Sequence, residues 1–158
     1  MNARILFGKF VFIPAFIFLA LALSLVSAHK AEAVCIKTDW ANLRQGPGTN
    51  YEVLWKVYKY MPFKILKKKA DWFRLKDTEG DIYWAHEKLL TAEFKCAVIK
   101  KDKTNLRAGP GTNFALIKGG PAPKFYVMKV LKIENNWVYG VDSLGDKAWV
   151  FQPLVWVQ

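Results

Sequence analysis

Asn42-Leu43-Arg44-Gln45-Gly46-Pro47-Gly48-Thr49-Asn50-Tyr51 returns as Asn105-Leu106-Arg107-Ala108-Gly109-Pro110-Gly111-Thr112-Asn113-Phe114. Nine of the ten positions are identical or exchange one aromatic for another, at an offset of 63. Asp71-Trp72-Phe73 returns as Asn136-Trp137-Val138 at an offset of 65, and Gly80-Asp81 with Trp84 returns at that offset as Gly145-Asp146 with Trp149. The chain is a duplication. Its second copy gained two residues between Phe114 and Trp137, around Gly119-Gly120-Pro121.

Each copy reads as short strands joined by tight turns. Phe63 to Lys67 and Trp72 to Lys76 alternate apolar and polar residues around a short polar turn, the pattern of a half-buried hairpin. Phe125 to Ile133 and Trp137 to Val141 repeat it around Glu134-Asn135-Asn136. Gly80 and Gly145 mark a further turn before strands ending at Trp84 and Trp149, and Val34 to Thr38 and Val98 to Lys101 open the copies. Nothing after residue 33 sustains a helical period. Five short strands in about 60 residues, with Gly-Pro-Gly in a long early loop, predict an all-β fold of two small, partly open barrels over 34–95 and 96–158. In the decapeptide, Leu43 and Leu106 are expected to point inward, and Gly46 and Gly48 to supply positive φ beside Pro47. Thr49 and Asn50 are expected to hydrogen-bond the loop's own backbone.

Asn-Leu-Arg-x-Gly-Pro-Gly-Thr-Asn-Tyr/Phe, the Trp in the following hairpin and Gly-x-x-x-Trp together resemble the bacterial SH3-like (SH3b) domain. Tandem copies behind an export signal resemble small exported SH3-like proteins of Gram-negative bacteria. The resemblance spans nearly all of residues 34–158. It implies Src-homology-3-type barrels that bind cell-wall peptides, glycans or proteins. In such a barrel the last strand returns beside the first, which would bring Cys35 near Cys96 at the exit of the first copy. A disulfide there would staple the first barrel, with an intermolecular bridge as the rival pairing. Val98 stands in the place of Cys35 in the second copy.

Src-homology-3 barrels bind extended ligands along an aromatic-lined groove beside the long loop. By that analogy the ligand candidates are Trp40, Asn42, Arg44, Tyr51, Trp72 and Tyr83 in the first copy. In the second they are Asn105, Arg107, Phe114, Trp137 and Tyr139. Trp84 and Trp149 read as core, while Trp72 and Trp137 fit either role. Lys67-Lys68-Lys69 reads as a solvated hairpin tip without a counterpart in Lys132-Ile133-Glu134.

The first 33 residues have an export pattern. Arg4 and Lys9 precede an apolar run from Phe10 to Val26, broken only by Pro14 and Ser24. Val26-Ser27-Ala28 and Ala31-Glu32-Ala33 offer cleavage after residue 28 or 33; the alternative is an uncleaved membrane anchor. Either route places the remainder in the periplasm or cell envelope, or outside the cell. Glu32-Ala33-Val34 before Cys35 does not fit a lipid-attachment site. The chain beyond residue 33 has 21 basic and 12 acidic residues, a net +9 shared as +4 and +5 between the copies. That favours an anionic partner.

No catalytic or metal site is expected: His86 is the single histidine after residue 33, beside two cysteines. No cofactor is expected either, because no phosphate-binding glycine pattern precedes a helix. The expected function is a non-catalytic envelope module recognising peptidoglycan or its stem peptides. The alternative is a periplasmic adaptor or inhibitor acting on another envelope protein. Export argues against nucleic acid, despite basic charge with interleaved aromatics.

Overall fold

The period-two alternation becomes twelve strands in the computed structural model, which describes residues 33–158. The expected export segment lies outside those residues, save Ala33. The first sheet contains β1 (Ala33–Ile36), β2 (Trp40–Arg44), β3 (Val53–Tyr58), β4 (Pro62–Lys69), β5 (Trp72–Lys76), β6 (Ile82–His86) and β7 (Leu90–Thr91), in the order β3-β2-β6-β5-β4-β1-β7. The second contains β8 (Cys96–Ile99), β9 (Val127–Glu134), β10 (Trp137–Val141), β11 (Lys147–Phe151) and β12 (Val155–Val157), in the order β11-β10-β9-β8-β12. Both sheets are antiparallel and neither closes. The last strand lies beside the first in each, β7 on β1 and β12 on β8.

The copies share their central hairpin to the residue. Leu66 in β4 and Leu131 in β9 are both extra residues at a bulge, skipped between Ile65 and Lys67 and between Val130 and Lys132. Such a bulge bends the strand and increases its twist. The copies differ where β2 and β3 stand in the first. The second has only the isolated bridges Thr104–Ala122, Arg107–Leu116 and Arg107–Trp149 there. Gly119 and Gly120 adopt φ of 107° and 81°, and Pro121 and Pro123 lack the amide donor a ladder needs.

Each strand of the first sheet contributes to one core: Ile36, Leu43, Val57, Phe63, Leu75, Ala85 and Leu90 are all buried there. The second core gathers Ala97, Ile99, Leu106, Met128, Val138, Val150 and Val155. Trp84 and Trp149 are buried as expected, but outside these two clusters. Tyr83 and Ala85 take the inward positions of β6, so Trp84 points to the outer face under the Lys67 ammonium, 5.6 Å from its ring. Lys132 covers Trp149 equivalently at 4.8 Å. Lys67 therefore has a counterpart, contrary to the reading of the Lys67–Lys69 tip.

The two units share a layer. All four residues of β8 are buried. Ala97 and Ile99 face the second core, whereas Val98 joins the first. Val98 pairs with Val127 on one side and Trp156 on the other, and both of these also pack on the first core. Phe125 extends the seam, with its ring edge-on to Trp55 at 5.5 Å, and Lys124 forms an ion pair with Glu79. Tyr60 and Phe125, equivalent positions, both adopt left-handed backbone at φ 75° and 66°. The amide of each is held by a carbonyl at the end of the opening strand, Ile36 or Ile99.

Cys35 and Cys96 form a disulfide across a Cα–Cα distance of 6.1 Å. Cys96 is the first residue of β8 and exchanges backbone hydrogen bonds with Gln158 at the end of the second unit. The bond therefore ties the opening strand of one sheet to that of the other, rather than the two ends of the first barrel.

The Cys35→Ala/Cys96→Ala variant should unfold cooperatively with stability lowered by about 2–4 kcal/mol, measured by urea denaturation. A second expectation concerns alkaline pH. Tyr126 is pushed up from the usual phenol range by burial and by its hydrogen bond to Asp142 (2.7 Å). Tyr83 is raised by burial and then by Asp77, Asp81 and Glu79. The unfolded chain loses these protons first, so their contribution is intact below about pH 10 and falls as pH rises further. Tyr126→Phe should flatten that fall.

Candidate functional site

The decapeptide loop is built around its arginine. Arg44 ends β2, and its Nη1 donates to the carbonyls of Thr49 (3.0 Å) and Tyr51 (2.7 Å). Arg107 repeats this with Thr112 (2.9 Å) and Phe114 (2.7 Å). The glycines serve close approach and not positive φ. A Cβ on Gly46 would lie 2.3 Å from the nearest Tyr51 ring carbon, and one on Gly109 2.2 Å from the nearest Phe114 ring carbon. Neither Gly46 nor Gly48 is left-handed. Leu43 and Leu106 are buried as expected. Loop closure comes from backbone bonds and the guanidinium rather than from the side chains of Thr49 and Asn50, with the Gly48 amide donating to Gly46 and the Tyr51 amide to Gly48.

The outer face of the first sheet is a set of cross-strand rungs. Lys67, Arg74, Trp84 and Arg44 form one, across β4, β5, β6 and β2. Lys69, Trp72 and His86 form the next. Beside these rungs lies an open groove of about 550 Å³, lined by Trp40, Asn42, Arg44, Thr49, Trp72 and His86 together with Asp39 and Lys88. Trp72 and His86 meet edge-on at 5.3 Å. Trp40 is 51% exposed, with the Lys56 ammonium 4.3 Å from its ring centroid. At the hairpin tip Lys68 hydrogen-bonds Glu87 at 2.6 Å, which raises the lysine pKa and lowers that of the carboxyl.

An equivalent groove of about 480 Å³ in the second unit is lined by Asn105, Arg107, Thr112, Trp137, Phe151 and Leu154. Trp137 and Phe151 stand 5.4 Å apart, as Trp72 and His86 do in the first unit.

The structure thus gathers Trp40, Asn42, Arg44 and Trp72 in one groove, and Asn105, Arg107 and Trp137 in the other. It does not bring Tyr51 or Phe114 into them; each ring lies against its own loop glycines and is 41% exposed. Tyr83 packs in the seam, 5.7 Å from Trp55, and Tyr139 stacks on Trp149 at 4.9 Å. His86, Phe151 and Leu154 are lining residues that sequence reasoning left out. Residues two apart on a strand share a face. His86 stands two beyond Trp84 and directly opposite Trp72, which was the available signal.

Comparison with known proteins adds three findings. Residues 37–91 match the bacterial SH3 domain family. The Bacillus subtilis (strain 168) protein YrvJ, named as an N-acetylmuramoyl-L-alanine amidase, is 30% identical over 142 residues; that aligned part is 84% of this chain but 27% of YrvJ. Among solved structures, an NlpC/P60 family protein from Bacillus cereus ATCC 10987 overlays with a TM-score of 0.37 at 13% identity, covering 80% of this chain and 56% of that one. The endolysin LysPBC5 CBD overlays with a TM-score of 0.32 at 17% identity, covering 80% and 93%. Neither overlay carries the functional reading.

The loop geometry separates fold from ligand contact. Gly46→Ala should cost about 1–3 kcal/mol, because the Tyr51 ring must shift. Trp40→Ala should change stability by less than about 0.5 kcal/mol, since the indole is exposed. Urea midpoints of the two variants check both.

Proposed function

Since residues 37–91 form a bacterial SH3 domain, we propose that this protein is a non-catalytic binding module of the cell envelope whose ligand is peptidoglycan or its stem peptides. The observation that carries the reading is the pair of equivalent open grooves, each with a tryptophan wall and an Asn and Arg from the repeated decapeptide. Flat rings over an open channel suit an extended ligand that contributes apolar faces and hydrogen-bonding edges. A net charge of +11 suits an anionic polymer. YrvJ is named as an amidase of the N-acetylmuramoyl-L-alanine bond, and the aligned part of this chain corresponds to 27% of it.

In the first groove the Thr38 hydroxyl donates to the Trp40 carbonyl, and His86 Nδ1 accepts from the Lys88 amide. Export through the N-terminal segment would deliver the protein to this ligand.

Purified protein should pellet with isolated sacculi at low salt. Trp40→Ala should weaken that association about tenfold, or roughly 1.4 kcal/mol, with the fold unchanged. Full recovery of the unmodified protein in the supernatant would overturn the proposal. Discrete cross-linking to one envelope protein would then favour an adaptor.

A further inference from the structure

The two grooves share a backbone frame but differ in charge. In the first unit the tryptophan wall is flanked by Lys69, directly across from Trp72, and by Arg74, two residues along the same strand. Lys88 lines the groove itself. None of the ion pairs among the described residues includes these three cations. Of the acids nearby, Glu87 binds Lys68, and Asp39, which lines the groove, faces Lys59 at 3.8 Å. Asp71 sits at the hairpin turn beyond Lys69, where its carbonyl accepts the Glu87 amide.

At the matching positions the second unit has Glu134 for Lys69, Tyr139 for Arg74 and Pro153 for Lys88. Glu134 also neutralises Lys132 at 2.8 Å. Phe151 replaces His86, and Arg107 is the single charged residue lining this groove. Its Nη1 is already bonded to two loop carbonyls.

Resting on the reading of both grooves as binding sites, we infer that they are not interchangeable: the first takes a segment bearing an anionic group, carboxylate or phosphate, and the second an uncharged segment. Unpaired cations at a half-buried aromatic wall attract an anion more strongly than the same charges dispersed in water. A groove whose one cation, Arg107, is already committed to two loop carbonyls gains less from an anion and must desolvate it.

Poly-γ-glutamate and polyphosphate serve as soluble probes, with the neutral oligomer chitohexaose as comparison. The test variant is Lys69→Glu/Arg74→Tyr/Lys88→Ala, which installs second-unit character. The control is Lys101→Ala/Lys118→Glu/Lys147→Ala, which removes the same net charge elsewhere. Circular dichroism establishes that both fold. The test variant should lose at least tenfold in affinity for one of the polyanions at low salt, while the control stays within about twofold and chitohexaose binding is unchanged. Whichever polyanion is lost identifies the anion as carboxylate or phosphate. Equal losses in test and control variants, or no polyanion binding by the unmodified protein, would overturn the inference. Because these probes contain no cell wall, a failure to pellet with sacculi would remove the wall ligand and leave this result standing.

Discussion

Burial of β8 on both of its faces is the constraint from which the arrangement of this molecule follows. A strand in a small open sheet normally turns one face to its core and the other to water. Here Ala97 and Ile99 serve one core, and Val98, with its rung partners Val127 and Trp156, closes the other. Each large apolar side chain so covered is worth on the order of 1.5–3 kcal/mol. That is considerable for a unit of about 60 residues, which buries too little surface to be strongly stable alone. The first sheet therefore depends on the second for part of its core. The disulfide at Cys96 reinforces the contact made two residues later by Val98.

The decapeptide works by a different economy of space. Gly46 lacks a side chain so that the Tyr51 ring can lie against the loop, and Arg44 draws the Thr49 and Tyr51 carbonyls together. The residues that shape the loop thereby place Asn42, Arg44 and Thr49 along the groove. In the second unit the same contacts form without a regular β2–β3 ladder behind them. The loop is thus set by its own ten residues more than by the strands around it.

That locality explains what could be read from the sequence. The duplication, the hairpins and the inward Leu43 and Leu106 follow from short-range pattern, whereas Trp40, Asn42, Arg44 and Trp72 are singled out by the resemblance to Src-homology-3 barrels. Tyr83 could not be placed this way, since parity assigns it the inner face but does not reveal that Trp55 lies over it at the seam. Trp84 is buried, as its size and hydrophobicity suggest, but a lysine ammonium covers it from outside, which neither property reveals. The run Cys96-Ala97-Val98-Ile99 is uninterrupted in apolar character, as expected of a strand covered on both faces, yet so short a run could equally open an ordinary strand.

A shared seam also changes what duplication can achieve. Two identical grooves on a flexible tether would reward any repeating ligand whose spacing the tether could span. Two grooves fixed by a shared layer and a disulfide admit a narrower set of spacings, and cost less entropy when both are filled. If one groove holds free cations and the other only the committed Arg107, the best ligand is composite, with charged and neutral segments at a set separation. A polymer of uncharged sugar chains bearing carboxylate-rich peptides has that character. The substitutions Lys69 to Glu134, Arg74 to Tyr139 and Lys88 to Pro153 between the units would then be the means by which a repeated fold reads a ligand that is not a simple repeat.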